Sequence, residues 1–121
     1  MKQAHPKQQP ARGLRRIINA TRYSWQGLWA TALHEEAFRP ELLLLLGAFI
    51  ITPWLSTSWY HAIALIGSVI LILIVELINS AIEALGDRVG LEFNELSGRA
   101  KDMGSAAVFL SIALAGMIWI V

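Results

Sequence analysis

The sequence has no cysteine. A disulfide framework and a thiolate metal centre are therefore both excluded. Charge is scarce: Asp, Glu, Lys and Arg make up 16% of 121 residues, and the net charge is +1. That balance carries no signal for nucleic acid. There is no cleavable leader pattern, because Lys2 to Ala11 is polar and no small-residue cleavage site follows an apolar core. Apolar segments further along are expected to stay in the mature protein. Also missing are the glycine-rich phosphate loop G-x-x-x-x-G-K-[ST] and a protein-kinase glycine loop with its catalytic Asp motif. A phosphotransferase built on this chain belongs to neither common class. No internal repeat is visible, and the sustained apolar runs leave no room for strands.

Apolar residues dominate what is present. They form 55% of the chain, and mean hydropathy is +0.52, too apolar for an ordinary soluble domain of this size. Residues 1–12 are polar, carry Pro6 and Pro10, and read as a disordered tail. From Leu14, the positions Leu14, Ile17, Ile18, Thr21, Trp25, Leu28, Trp29 and Ala32 recur at helical spacing. Arg12, Arg15, Arg16, Asn19, Arg22 and Gln26 take the opposite face. This pattern predicts an amphipathic helix in the membrane interface over about 13–36, tryptophans at the headgroups and arginines toward phosphate.

Three apolar segments follow, with spans predicted at about 40–57, 60–86 and 101–121. The first is short; Pro53 is expected to end it, and Trp54, Trp59 and Tyr60 form an aromatic belt. The expected fold class is all-α: three transmembrane helices plus the N-terminal interfacial helix, in one domain over 13–121. All ten Lys and Arg precede the first span or lie between the second and third. The positive-inside rule then makes the N-terminus and the second connector cytoplasmic.

The second span carries Glu76, Asn79, Ser80, Glu83 and Asp87 within a stripe roughly 100° wide, about 16 Å long at ~1.5 Å per residue. Its other faces are Ile and Leu. Carboxylates inside a membrane are costly and mark function by default. Polar residues also serve as hydrogen-bonding contacts between helices, which is an equal reading for Asn79 and Ser80 but does not call for two carboxylates. Glu35 and Glu41 flank the start of the first span, and Glu36 is expected to be solvated. Two carboxylates with phosphate oxygens suit Mg²⁺, waters completing its octahedron. Arg99 and Lys101 are placed at the N-terminus of the third span, where the helix dipole disfavours cations. A bound phosphate would resolve that placement, as would the topology signal alone. Gly104, Ser105, Ala106 and Ala107 read as small residues for close helix packing.

Val75-Glu-Leu-Ile-Asn-Ser-Ala-Ile-Glu-Ala-Leu-Gly-Asp-Arg-Val-Gly90 and Glu95-Leu-Ser-Gly-Arg-Ala-Lys-Asp-Met-Gly-Ser-Ala-Ala107 resemble the signature of the prokaryotic diacylglycerol kinases. Arg16, Tyr23-Ser-Trp25 and Glu35 to Glu41 match that family's N-terminal pattern. The resemblance implies phosphorylation of diacylglycerol to phosphatidic acid in a bacterial inner membrane, with ATP as donor and Mg²⁺ as cofactor. It implies a homotrimer with composite sites at subunit boundaries. Glu76 would be the general base for the lipid hydroxyl, and Glu35 and Glu83 would hold the metal. Arg16, Tyr23, Asn79, Glu92, Phe93, Asn94, Lys101 and Asp102, with Glu35 and Glu83, would serve the nucleotide. Arg16, Ser24, Trp25, Ala37, Phe38, Arg39, Glu41, Glu76 and Ser105 would serve the lipid. Several members have His where this chain has Asn94 and Lys where it has Asn19, which bears on nucleotide affinity and headgroup contacts. A polyprenol kinase on the same scaffold is the nearest alternative. A non-enzymatic ion conduit is the other, but 62–75 offers only Ser68 as a hydrogen-bonding side chain, and the third span is apolar beyond Ser111.

Overall fold

The structure is a computed structural model and describes residues 12–89 and 95–121. Four helices follow in order: α1 (Gly13–His34), α2 (Phe38–Leu55), α3 (Trp59–Val89) and α4 (Glu95–Ile120). The described residues are all-α, and α2, α3 and α4 are each long and apolar enough to cross a membrane. The chain divides into two units, residues 1–30 and 31–121.

In the first unit, Leu14, Ile17, Ile18, Trp25, Leu28 and Trp29 are exposed along α1. Arg22 lies over the Tyr23 ring at 5.6 Å, a cation–π arrangement.

In the second unit, α3 is the central element. Both α2 and α4 pack against it, and α2 and α4 do not pack against each other. The core is a row on α3, Leu65, Val69, Ile72 and Leu73, with Phe38 and Ala48 from α2 and Ala115 from α4. Phe38 is an anchor at the start of α2. The Arg39 guanidinium donates to the carbonyls of Ala32 and Leu33, both at 2.7 Å. These are among the carbonyls that the end of α1 leaves without an intrahelical partner, so Arg39 caps that end.

Two boundaries differ from the sequence expectation. Pro53 does not end the first span: it lies inside α2, which runs on to Leu55, and the Ser56 amide still donates to Thr52 O at 2.9 Å. Proline forfeits its bond to the carbonyl four residues back and its ring crowds that carbonyl, which can kink a helix without ending it. The helix of the third span begins at Glu95, six residues before the predicted start at 101. The polar first turns of α4 extend beyond its apolar run, and hydropathy alone does not register them.

At the far end the indole Nε1 of Trp119 donates to Leu65 O at 3.1 Å and to Ser68 Oγ at 3.0 Å. The Ser68 hydroxyl itself donates to Leu65 O at 2.8 Å. The one polar side chain between Ala62 and Val75 is thus committed to tying α4 to α3, which removes the only foothold for an ion path there.

Candidate functional site

Depth along α3 sets the site. Trp59 and Tyr60, 85% and 86% exposed, open the helix and suit an aromatic interface belt. From Trp59, Glu76 lies about 26 Å along the axis and Glu83 about 36 Å, at ~1.5 Å per residue. A hydrocarbon core is about 30 Å thick. Glu76 therefore sits just inside the second interface, and Glu83 and Asp87 sit just outside it.

Glu76 is only 6% exposed and Asn79 only 7%. Glu76 is thus already covered within a single chain, in which α2 and α4 both pack on α3. Glu41, in the first turn of α2, lies close enough to Glu76 for the two carboxyls to interact. The Glu35 and Glu83 carboxylates lie within electrostatic range of Glu76. Ion pairs join Arg99 to Glu95 at 3.9 Å and Lys101 to Asp87 at 2.9 Å. None of Glu35, Glu41, Glu76 and Glu83 is ion-paired among the described residues, and Lys101, held by Asp87, is in electrostatic range of Glu83.

The polar atoms beside Glu76 are also unmet. Glu41 Oε1, Asn79 Oδ1 and Ser80 Oγ are buried without a hydrogen-bond partner. Asn79 and Ser80 stand three and four residues on from Glu76, on its face of the helix. Buried polar atoms are nearly always satisfied, so orphans grouped around one buried carboxyl point to a missing hydrogen-bonding group. Asn79 Nδ2 donates to Glu83 Oε2 at 3.4 Å, linking the buried end of the stripe to its exposed end.

Whether these residues suit a metal can be judged from the donors. No three His, Cys, Asp or Glu among the described residues form a cage. Mg²⁺ does not need one: it commonly takes one or two carboxylates, with substrate phosphates and waters supplying the rest. Glu35, half-buried, and Glu83, half-buried, offer hard oxygen donors in a region of unbalanced negative charge. They fit a metal that arrives with phosphate.

The other expected residues are placed as follows. Lys101 is not in the first turn of α4. It lies in the second turn of α4, its stem crosses Gly86, and its ammonium is held by Asp87. In the sequence Asp87 is only the end of a stripe; its spacing from Lys101 gives no sign of the pairing, which depends on how α3 and α4 pack. Asp102 and Ser105 are exposed on α4, and Ala37 is exposed before α2. Phe38 is a core residue and Arg39 a helix cap, so packing already accounts for both. Arg16, Tyr23, Ser24 and Trp25 are exposed on α1 in the first unit. Residues 1–11 and the Glu92-Phe93-Asn94 stretch lie outside the described residues.

Fold and cluster together define a multi-pass all-α membrane protein with one buried carboxyl, Glu76, beside half-buried carboxyls that make no ion pair, at one bilayer interface. Residues 22–121 match the family described as Prokaryotic diacylglycerol kinase. The chain is 52% identical over 107 residues to the diacylglycerol kinase of Escherichia coli strain K12, covering 88% of each chain. It is 46% identical to that of Pseudomonas aeruginosa, covering 88% of this chain and 87% of the relative. It is 45% identical to that of Haemophilus influenzae, covering 88% and 91%. The chain belongs to the prokaryotic diacylglycerol kinase family and is a diacylglycerol kinase, an enzyme of lipid metabolism.

Proposed function

We propose that Glu76 is the general base for transfer of the γ-phosphoryl group of ATP to the hydroxyl of diacylglycerol. The observation that carries this is the position of Glu76: a buried carboxyl without a cation, at the depth where a lipid hydroxyl lies. The lipid hydroxyl gives its proton to Glu76. Its oxygen bonds to the γ-phosphorus as the bond to the β–γ bridging oxygen breaks. Phosphatidic acid and ADP result. Glu41, already in contact with Glu76, and the unmet Ser80 hydroxyl hold the base and the lipid hydroxyl in register. Phosphoryl transfer depends mostly on positioning and charge neutralisation, so three spans and a surface helix suffice without a soluble nucleotide fold.

Glu35 and Glu83 would hold Mg²⁺, which when bound neutralises charge on the ATP phosphates. Asn79 steadies Glu83. Lys101, fixed by Asp87, faces the phosphates with Asp102; Arg16, Tyr23, Glu92, Phe93 and Asn94 complete the nucleotide contacts. Ser24, Trp25, Ala37 and Ser105 lie along the lipid with Glu41. Phe38 and Arg39 contribute by fixing the start of α2. The site faces the cytoplasm, since the flanking connectors carry the Lys and Arg.

The reading is tested by ATP-dependent transfer of labelled phosphate in mixed micelles, with diacylglycerol and undecaprenol as competing acceptors. Diacylglycerol is expected to be labelled and undecaprenol to stay near background. Preferential labelling of undecaprenol would assign the site to another lipid.

The assembly we propose is a homotrimer with composite sites. Glu83 stays half-exposed, and the Asp87 side chain is 62% exposed, so a single chain leaves the outer end of the stripe uncovered. A neighbouring subunit would cover it. Inactive Glu76→Gln and inactive Arg16→Ala chains, mixed under conditions of subunit exchange, should then regain part of the activity. Proven exchange without recovery means each chain holds its own complete site.

A further inference from the structure

We propose that Gly104 is a positioning residue for phosphoryl transfer, acting through Asn79 on Glu83. The proposal deepens the reading above, since it rests on Asn79 and Glu83 serving Mg-ATP.

Gly104 is buried where α4 crosses α3. A Cβ placed there would fall inside the van der Waals envelope of Asn79 Oδ1, with Asn79 Cγ at 3.3 Å and Ile82 Cδ1 at 3.5 Å. The same addition at Gly98 or Gly116, also on α4, meets nothing within 4 Å. Close packing of small residues would explain all three glycines alike; only Gly104 has a specific occupant over it.

That occupant cannot move freely. Asn79 is 7% exposed, and its side chain is short. Its Nδ2 donates to Glu83 Oε2 at 3.4 Å. A carboxylate only accepts, so turning the amide over would set oxygen against oxygen. The amide must present nitrogen to Glu83 and oxygen to Gly104. Oδ1 has no hydrogen-bond partner there. What holds the amide in place is therefore the space that Gly104 leaves, together with the bond to Glu83.

The contrast with Gly86 sharpens this. A Cβ at Gly86 would meet Lys101 Cε at 2.8 Å, the far part of a flexible stem that can shift aside. At Gly104 the atom met belongs to a buried amide whose displacement breaks a hydrogen bond to a carboxylate. Helix propensity would favour alanine over glycine at every one of these positions, so a loss at Gly104 has to come from the contact.

The test compares wild type, Gly104→Ala, Asn79→Ala and the double variant in mixed micelles. The readouts are KM for Mg-ATP, KM for diacylglycerol, kcat and the thermal unfolding midpoint. Gly104→Ala is expected to raise KM for Mg-ATP about tenfold, as for a lost hydrogen bond to a charged group. KM for diacylglycerol should stay within about twofold, well inside one factor of ten. In the Asn79→Ala background, Gly104→Ala should add nothing, because the atoms it displaces are gone. Equal effects in both backgrounds, or an equal rise in both KM values, would overturn the proposal and leave the Mg-ATP reading standing. Should Gly104→Ala alone fail to fold, recovery of folding in the double variant supports the contact. Failure of the double variant as well, where Asn79→Ala folds, overturns it, since the added methyl then meets something else. An Asn79→Ala enzyme with wild-type KM for Mg-ATP overturns the proposal at its premise, a result distinct from additivity.

Discussion

Glu76→Gln is expected to cut turnover by about 10²–10⁴-fold, the usual worth of a positioned general base. Gln keeps the volume of Glu, so a side chain only 6% exposed is replaced without opening a cavity. It also removes one negative charge from a neighbourhood that contains Glu83 and Glu35. Like charges in close quarters destabilise the fold that gathers them, and sites tuned for activity often carry such a cost. The unfolding midpoint of Glu76→Gln should therefore equal or exceed that of wild type, and Mg-ATP binding should persist. Single-turnover phosphoryl transfer, nucleotide binding and thermal unfolding on the same preparation separate these outcomes. A variant retaining more than about a tenth of the wild-type rate would remove Glu76 from the role of base, since even weak general base catalysis is worth more.

The second large effect concerns metal. Glu35→Gln and Glu83→Gln each replace a hard anionic donor by a neutral one, and Mg²⁺ depends on such donors. Each should shift the Mg²⁺ concentration for half-maximal activity upward by about tenfold or more, the cost of roughly 1.4 kcal/mol of binding. The lipid side should respond far less, with KM for diacylglycerol nearly unchanged at saturating Mg²⁺. Glu83 carries an added consequence, because it accepts from Asn79 Nδ2. Gln at position 83 keeps an acceptor oxygen, so Asn79 can stay seated, and the charge is what is lost. A Glu83→Gln enzyme with an unchanged Mg²⁺ titration would take Glu83 out of the metal site. The same result at both positions would move the metal elsewhere entirely.

Much of the architecture was legible before any coordinates. Helical spacing from Leu14 to Ala32 marked α1, and three apolar runs marked α2, α3 and α4, because period and length are local properties of a chain. The acidic stripe on α3 was legible for the same reason: five residues at helical spacing share a face whatever packs against it. Local chemistry misled at Pro53, which looks like a terminator but sits inside α2. It misled again at Lys101, where a helix start was placed by hydropathy and the polar opening turns of α4 went unread.

By itself the sequence determined the helix count, the class of membrane protein and the face of α3 that bears carboxylates. These follow from periodicity, from apolar length and from the cost of charge in hydrocarbon. Tertiary structure decided which groups meet. The Glu41 contact with Glu76, the Lys101 pairing with Asp87, the Arg39 cap on α1 and the Gly104 seat beneath Asn79 join residues whose separation in the chain encodes nothing about their distance. They are set by how α2 and α4 pack on α3, and that is fixed by the shapes of many side chains at once.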